Sequence, residues 1–137
     1  MSLQLPQSKI LLVLVTLFSG AFLLLLLWLK QPFSPKIQTV SKQEIKNLLA
    51  QEKTNNSPIL IDLRTDWEIK KTGKIPGAIH INYFSFNFSE KLKALDPNKS
   101  YIVYCWVGVR SNKAAQKMHS MGLDVIDYHG GMKDWLK

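Results

Sequence analysis

The chain has 137 residues, a formal net charge of +8 and a single cysteine, Cys105. One cysteine excludes an intramolecular disulfide and any metal site built from several cysteines. The positive charge comes mainly from lysines spread along the sequence, with no basic helix and no RNA-binding aromatic motif, so a nucleic-acid partner is not expected. This charge instead favours small anionic substrates or anionic lipid headgroups.

After a flank of residues 1–9, residues 10–29 form an apolar run without a charged side chain. A helix of that length spans roughly 30 Å, the thickness of a hydrocarbon core, so we expect one transmembrane helix that anchors the chain in a lipid bilayer. The alternative is a cleaved signal peptide with a site near Ser19-Gly20-Ala21, although cleavage there would leave an apolar N-terminus. Lysines that follow the run favour a cytoplasmic domain at the inner or plasma membrane of a bacterium.

Residues 30–39, with Pro32 and Pro35, predict a stiff linker, and residues 40–137 predict one domain. Ser41 and Glu44 form a capping-box pattern at the start of an amphipathic helix. Apolar runs predict strands at 59–63, 78–81, 101–104 and 125–128. Helical patterns occur at 66–71, 89–95 and 111–121, and a short last helix runs through Trp135. This alternation predicts an α/β fold with a mainly parallel sheet flanked by helices, preceded by one transmembrane helix.

The candidate site follows the third predicted strand, at the carboxyl end where ligands bind in parallel sheets. Successive backbone N–H groups between a strand and a helix can form an anion-binding nest, and the helix dipole and Arg110 add positive potential. These features favour the thiolate of Cys105 and indicate a sulfur nucleophile that attacks an anion. A lone cysteine is more often a buried structural residue, so the loop pattern alone leaves both interpretations open. The segment reads Cys105-Trp106-Val107-Gly108-Val109-Arg110-Ser111.

Three motifs in this order resemble those of the rhodanese-like sulfurtransferases, over about residues 40–137. The loop from Cys105 to Ser111 resembles the active-site loop of that family. Upstream, the segment from Ile61 through Asp62 and Arg64 to the Gly-Lys-Ile-Pro-Gly-Ala at 73–78 resembles its first signature, although Lys74 replaces the usual histidine. Downstream, residues 130–135 resemble its closing glycine-glycine-tryptophan motif.

The resemblance implies double-displacement chemistry on Cys105, without a metal or an organic cofactor. The Cys105 thiolate would take sulfane sulfur from thiosulfate or a persulfide donor, and a thiol, cyanide or protein acceptor would remove it. Arg110 would orient the donor anion. Asp62 and Arg64 would support the loop or form only a structural ion pair, and the backbone of the loop would hold the substrate, through Trp106, Val107, Gly108, Val109, Arg110 and Ser111.

Two other function classes remain open from the sequence. The first is a non-enzymatic rhodanese-like module, membrane-bound, that serves in interaction or in sulfur or redox sensing. The intact Cys105, Gly108 and Arg110 argue against it, since inactive modules commonly lose the cysteine. The second is phosphatase or arsenate-reductase chemistry, whose loops are one residue longer than the C-x4-R spacing from Cys105 to Arg110. Glu68 is expected only as a surface or helix-start carboxylate.

Overall fold

The structure is a computed structural model that describes residues 36–51 and 54–137. Helices and strands alternate along these residues after the first helix, as the sequence pattern predicts. The helices are α1 (Lys42–Ala50), α2 (Asp66–Thr72), α3 (Phe88–Lys93), α4 (Val109–Ser120) and α5 (Gly131–Trp135). The strands are β1 (Ile59–Asp62), β2 (Ile79–His80), β3 (Ser100–Tyr104) and β4 (Asp124–Tyr128).

The strands form one four-stranded sheet in the order β2-β1-β3-β4, and every pairing in it is parallel. The predicted α/β fold with a parallel sheet flanked by helices is therefore confirmed. At the β4 edge, Thr39 makes a parallel bridge to Asp127, and the backbone N–H of Asp127 donates to the Gln38 carbonyl at 2.9 Å. The end of the segment expected as a linker thus lies against the sheet.

Apolar side chains cover both faces of the sheet, because its central strands are buried on both sides. One face packs against α3 and α4, and its fully buried contacts include Leu92 and Met118. The other packs against α1 and α5, with Ile45 and Met132 among its buried members. The helices hold the sheet rigidly from both sides, so the carboxyl ends of the strands have a fixed position.

Capping boxes set the starts of the first two helices. In α1 the Ser41 side chain accepts from the Glu44 backbone N–H while the Glu44 carboxylate accepts from the Ser41 backbone N–H, as the sequence predicts. The same reciprocal pair, formed by Thr65 and Glu68, starts α2. Helix α2 ends at Thr72, and Gly73 caps it with a φ of 69°, a positive value that glycine adopts without strain.

The predicted transmembrane helix at 10–29, its flank at 1–9 and the first part of the linker lie outside the described residues. Within residues 36–51 and 54–137, no helix is both long and apolar enough to cross a bilayer.

Candidate active site

Cys105 follows β3 directly and lies at the carboxyl end of the parallel sheet. Its side chain belongs to the core cluster that packs against α4, and the residue is only 1% exposed. The thiol is free, since the chain has no other cysteine. A free, buried thiol thus lies at the start of the loop that leads into α4.

The helix after the loop starts two residues earlier than the sequence predicts, at Val109 instead of Ser111. Gly108 precedes it with a φ of 87°, a left-handed conformation that a glycine adopts without the strain of a side chain. No side chain caps this helix. The expected start at Ser111 was therefore wrong, because the turn at Gly108 replaces the serine or threonine cap that a pattern search looks for. Arg110 and Ser111 lie in the first helical turn.

The backbone N–H groups of residues 106–111 donate no hydrogen bond to another described residue. Those of 109–111 lack partners because they belong to the first turn of a helix. The loop carbonyls, in contrast, are occupied: the N–H of Met132 donates to the Cys105 carbonyl at 2.9 Å and that of Lys133 to the Trp106 carbonyl at 3.1 Å. The loop therefore keeps its donors for a ligand while α5 binds its acceptors.

Two glycines allow this close packing. A Cβ atom on Gly131 would lie 2.6 Å from the Cys105 carbonyl oxygen and 2.7 Å from that of Trp106. A Cβ atom on Gly108 would lie 2.5 Å from Nδ1 of His129. Real Cβ atoms do not approach so closely, so both positions require glycine for contact as well as for their positive φ.

The Arg110 guanidinium does not point freely to a donor anion. Its two terminal nitrogens donate to both carboxylate oxygens of Glu68, at 2.8 and 2.6 Å. These hydrogen bonds lower the pKa of Glu68 to about 2 against the opposing effect of burial. The same hydrogen bonds to Glu68 are the main cause of a raised pKa of Arg110.

Asp62 and Arg64, predicted to support the loop, form a fully buried ion pair. The Arg64 guanidinium donates to both Asp62 oxygens, to the Thr72 hydroxyl at 2.8 Å and to the Gly73 carbonyl at 2.6 Å. The pair thus joins the end of β1 to the end of α2. Because α2 carries Glu68, the pair fixes the helix from which the partner of Arg110 extends.

The side chains of the other predicted site residues differ in their burial and in their contacts. The Ser111 hydroxyl is buried and donates to the Gly108 carbonyl at 3.1 Å, so only its backbone N–H remains for a ligand. Val107 and Val109 are exposed beside the loop. Trp106 packs partly against the core and lines a cleft with α2. All of these residues lie in the one segment that joins β3 to the first turn of α4.

The sequence did not reveal Glu68 as a member of the site. It lies 42 residues before Arg110, and no periodicity relates the two positions. The only available signal was that Glu68 falls within the first motif of the resemblance. Among the described residues, no group of three or more histidine, cysteine, aspartate or glutamate side chains has the geometry of a metal site.

Comparisons with known proteins identify the family of the domain that contains this site. The profile of the rhodanese-like domain matches residues 41–137. A mouse protein named thiosulfate sulfurtransferase/rhodanese-like domain-containing protein 3 is 34% identical over 118 residues, which cover 77% of this chain and 73% of that protein. The putative sulfurtransferase YtwF of Bacillus subtilis is 36% identical over 76 residues, covering 56% and 71% of the two chains.

Solved structures show the same fold. The crystal structure of a rhodanese-like domain protein from Staphylococcus aureus superimposes with a TM-score of 0.63 at 30% sequence identity. The match covers 72% of this chain and 91% of the other. With the family profile over the described domain and a relative at 34% identity, the chain belongs to the rhodanese-like domain family.

Proposed function

We propose that the chain is a sulfurtransferase that carries sulfane sulfur on Cys105 as a persulfide. The observation that carries this proposal is a free, buried thiol at the start of a loop whose amides at 106–111 donate to no acceptor among the described residues. Such an arrangement suits an anion that is covalently attached to the sulfur at the bottom of the loop. The mouse and Bacillus subtilis relatives are both named as sulfurtransferases, which supports the same reaction class.

The first half-reaction forms a sulfur–sulfur bond. The Cys105 thiolate attacks the outer sulfur of thiosulfate, the sulfur–sulfur bond of thiosulfate breaks, and sulfite leaves with the bonding electrons. A persulfide donor reacts in the same way and releases a thiolate. Cys105 then carries a persulfide anion.

The second half-reaction returns the free thiolate. A thiophilic acceptor (cyanide in an assay, a small thiol or a protein thiol in a cell) attacks the outer sulfur of the persulfide. The bond to the Cys105 sulfur breaks, and that sulfur keeps the electron pair. The amides from Trp106 to Ser111 stabilise the negative charge on the outer sulfur, as the donors of an oxyanion hole stabilise oxygen. Neither half-reaction requires a metal or an organic cofactor.

Arg110 has a narrower role in this proposal than direct binding of the donor. Its guanidinium is held by both carboxylate oxygens of Glu68, so the pair has little net charge to offer a donor. The pair joins the first turn of α4 to α2 and so helps to hold the loop in position. A donor anion binds Arg110 only if it competes with the Glu68 carboxylate for the guanidinium.

Mass spectrometry of the full-length chain after incubation with thiosulfate tests the proposal. We expect the peptide that contains Cys105 to gain the mass of one sulfur atom, and a reducing thiol should remove it. A matched sample treated with sulfate shows whether the gain depends on sulfane sulfur. A Cys105 peptide that remains unmodified at saturating thiosulfate and with an organic persulfide would contradict the proposal.

We propose in addition that residues 10–29 anchor the domain in a bacterial inner or plasma membrane, with the domain on the cytoplasmic side. The uncharged run of these residues and the lysines that follow it support this arrangement. Carbonate extraction of membranes should leave the chain in the pellet. Protease added to spheroplasts should leave the domain intact, and its digestion there would place it on the outer side.

A further inference from the structure

A cleft lies directly beside the loop, between helix α2 and Trp106. Its volume is about 220 Å³, and its lining consists of Trp67, Glu68, Lys71, Thr72 and Trp106. Trp106 is the neighbour of Cys105 in the chain, and Glu68 binds Arg110 in the first turn of α4. Two of the residues that line the cleft therefore belong to or contact the segment that carries the reactive sulfur.

The lining combines aromatic surface with one cation. Trp67 is 68% exposed and belongs to neither core cluster, so packing of the described domain does not explain a large apolar side chain there. The ammonium of Lys71 lies 5.1 Å from the centre of the Trp67 ring. None of the ion pairs between described residues involves Lys71. The cleft thus offers two indole surfaces and a cation for a carboxylate.

The charge at the loop favours the same kind of ligand. Glu68 occupies both terminal nitrogens of Arg110, so this pair contributes little net charge toward an inorganic dianion. A donor with an organic body gains additional contacts in the cleft, which thiosulfate is too small to make while its outer sulfur is at Cys105. Contacts far from the reacting atoms lower the barrier of the reaction when they hold the donor in position.

We propose that the cleft binds the organic part of a low-molecular-weight thiol persulfide that carries a carboxylate, which is the sulfur donor in the function proposed above. The carboxylate pairs with Lys71, and the carbon chain lies between Trp67 and Trp106. The Cys105 thiolate attacks the outer sulfur of the donor, the sulfur–sulfur bond of the donor breaks, and the organic thiolate leaves and takes a proton from water.

The test compares two donors on the full-length chain, purified in detergent because of its apolar run. Glutathione persulfide is the organic donor, with two carboxylates, and thiosulfate is the inorganic donor. The variants are Trp67→Ala and Lys71→Gln. Matched controls remove another exposed aromatic and another exposed lysine, Phe86→Ala and Lys91→Gln, neither of which lines the cleft. The readout is the rate of sulfur gain on Cys105.

We expect the second-order rate constant of sulfur gain from glutathione persulfide, relative to that from thiosulfate, to fall about tenfold in Trp67→Ala and in Lys71→Gln, mainly through weaker binding of the donor. The controls should keep the wild-type ratio. An unchanged ratio in both cleft variants, with persulfide still formed on Cys105, overturns the cleft and leaves the proposed function intact. An equal loss of rate with both donors would also overturn the cleft and leave the proposed function intact.

A second measurement does not depend on turnover. S-methylglutathione cannot transfer sulfur, and its binding should change the tryptophan fluorescence of the wild-type chain. Lys71→Gln should weaken that binding about tenfold, and Lys91→Gln should leave it unchanged. If the wild-type chain forms no persulfide with either donor, the proposed function fails. In that case S-methylglutathione binding that is lost in Lys71→Gln still supports the cleft, and equal binding by both variants overturns it.

Discussion

At the scale of single residues, the proposed chemistry depends on the sulfur of Cys105. A Cys105→Ser variant should lose thiosulfate:cyanide turnover entirely, because a hydroxyl of similar size forms no stable persulfide. The residue lies in a core cluster, but serine fills nearly the same volume, so the fold should remain. Turnover is measured by the formation of thiocyanate, and far-ultraviolet circular dichroism checks the fold. Wild-type turnover in this variant would show that the resemblance to sulfurtransferases concerns the fold alone.

Glu68 provides a prediction on pH. Hydrogen bonds from Arg110 lower its pKa from 4.5 to about 2, so the folded state binds this proton less tightly than the unfolded state. The pair therefore stabilises the fold fully above about pH 4.5 and loses that contribution as the pH falls toward 2. Glu68→Gln keeps the capping box, since glutamine also serves there, and removes the charge.

Urea unfolding of both proteins at pH 7 and near pH 2.5 measures this effect. The wild type should exceed Glu68→Gln in free energy of unfolding at pH 7 by about 1–2 kcal/mol, a value reduced for solvent screening. The difference should shrink at the lower pH. An equal difference at both pH values would show that the ionised carboxylate is not the source.

The ion pair of Glu68 with Arg110 also shows which kind of contact the sequence alone does not predict. The sequence identified Cys105 and Arg110 because both lie in one short loop pattern. It assigned Glu68 only to a helix start, which the structure confirms through the capping box with Thr65. The contact with Arg110 depends on how α2 and α4 meet across the end of the sheet, and local patterns contain no information on that distance.

At the scale of elements, the turn into α4 depends on Gly108. Gly108→Ala should destabilise the fold and reduce sulfur transfer, because the new Cβ atom would press on His129 and move the loop amides. Gly122→Ala is the matched control: its φ of 83° is nearly that of Gly108 at 87°, but its Cβ atom would meet nothing within 4 Å. Gly122→Ala therefore introduces the backbone strain of a positive φ without a collision of the new Cβ atom with a neighbouring residue.

We expect Gly122→Ala to lower the free energy of unfolding by about 1–2 kcal/mol and to leave the rate of persulfide formation unchanged. Gly108→Ala should lose more stability and also slow persulfide formation at least tenfold, because small displacements disturb preorganised donors. Denaturant unfolding and single-turnover mass spectrometry measure the two quantities. Equal effects of both substitutions would mean that contact with His129 is unimportant.

Elements were predictable where a local signal marks them. The β3 prediction differs by one residue from the observed strand Ser100–Tyr104, and the capping box at Ser41 fixed the start of α1. The predicted start of α4 was two residues too late, because a left-handed glycine gives no capping signal in the sequence. The contact of Thr39 with β4 was missed because an edge bridge of one residue has no periodicity.

At the scale of the whole molecule, the core clusters and the site lie within the described residues after 35. Deletion of residues 1–30 should therefore give a domain that folds, remains in solution and forms the Cys105 persulfide at a rate similar to that of the full-length chain. High-speed centrifugation, circular dichroism and mass spectrometry measure the three properties. A deletion product that folds but forms no persulfide would show that the removed residues contribute to the reaction.

The hydrogen bonds from α5 to the loop also have a consequence for synthesis. Cys105 leaves the ribosome before Met132 and Lys133, whose N–H groups hold the carbonyls of Cys105 and Trp106. At about 5–20 residues per second, the delay between them is on the order of seconds. During that interval the nascent chain carries a cysteine whose loop is not yet held by hydrogen bonds from α5. The loop therefore reaches its final position only after the residues of α5 have been added to the chain.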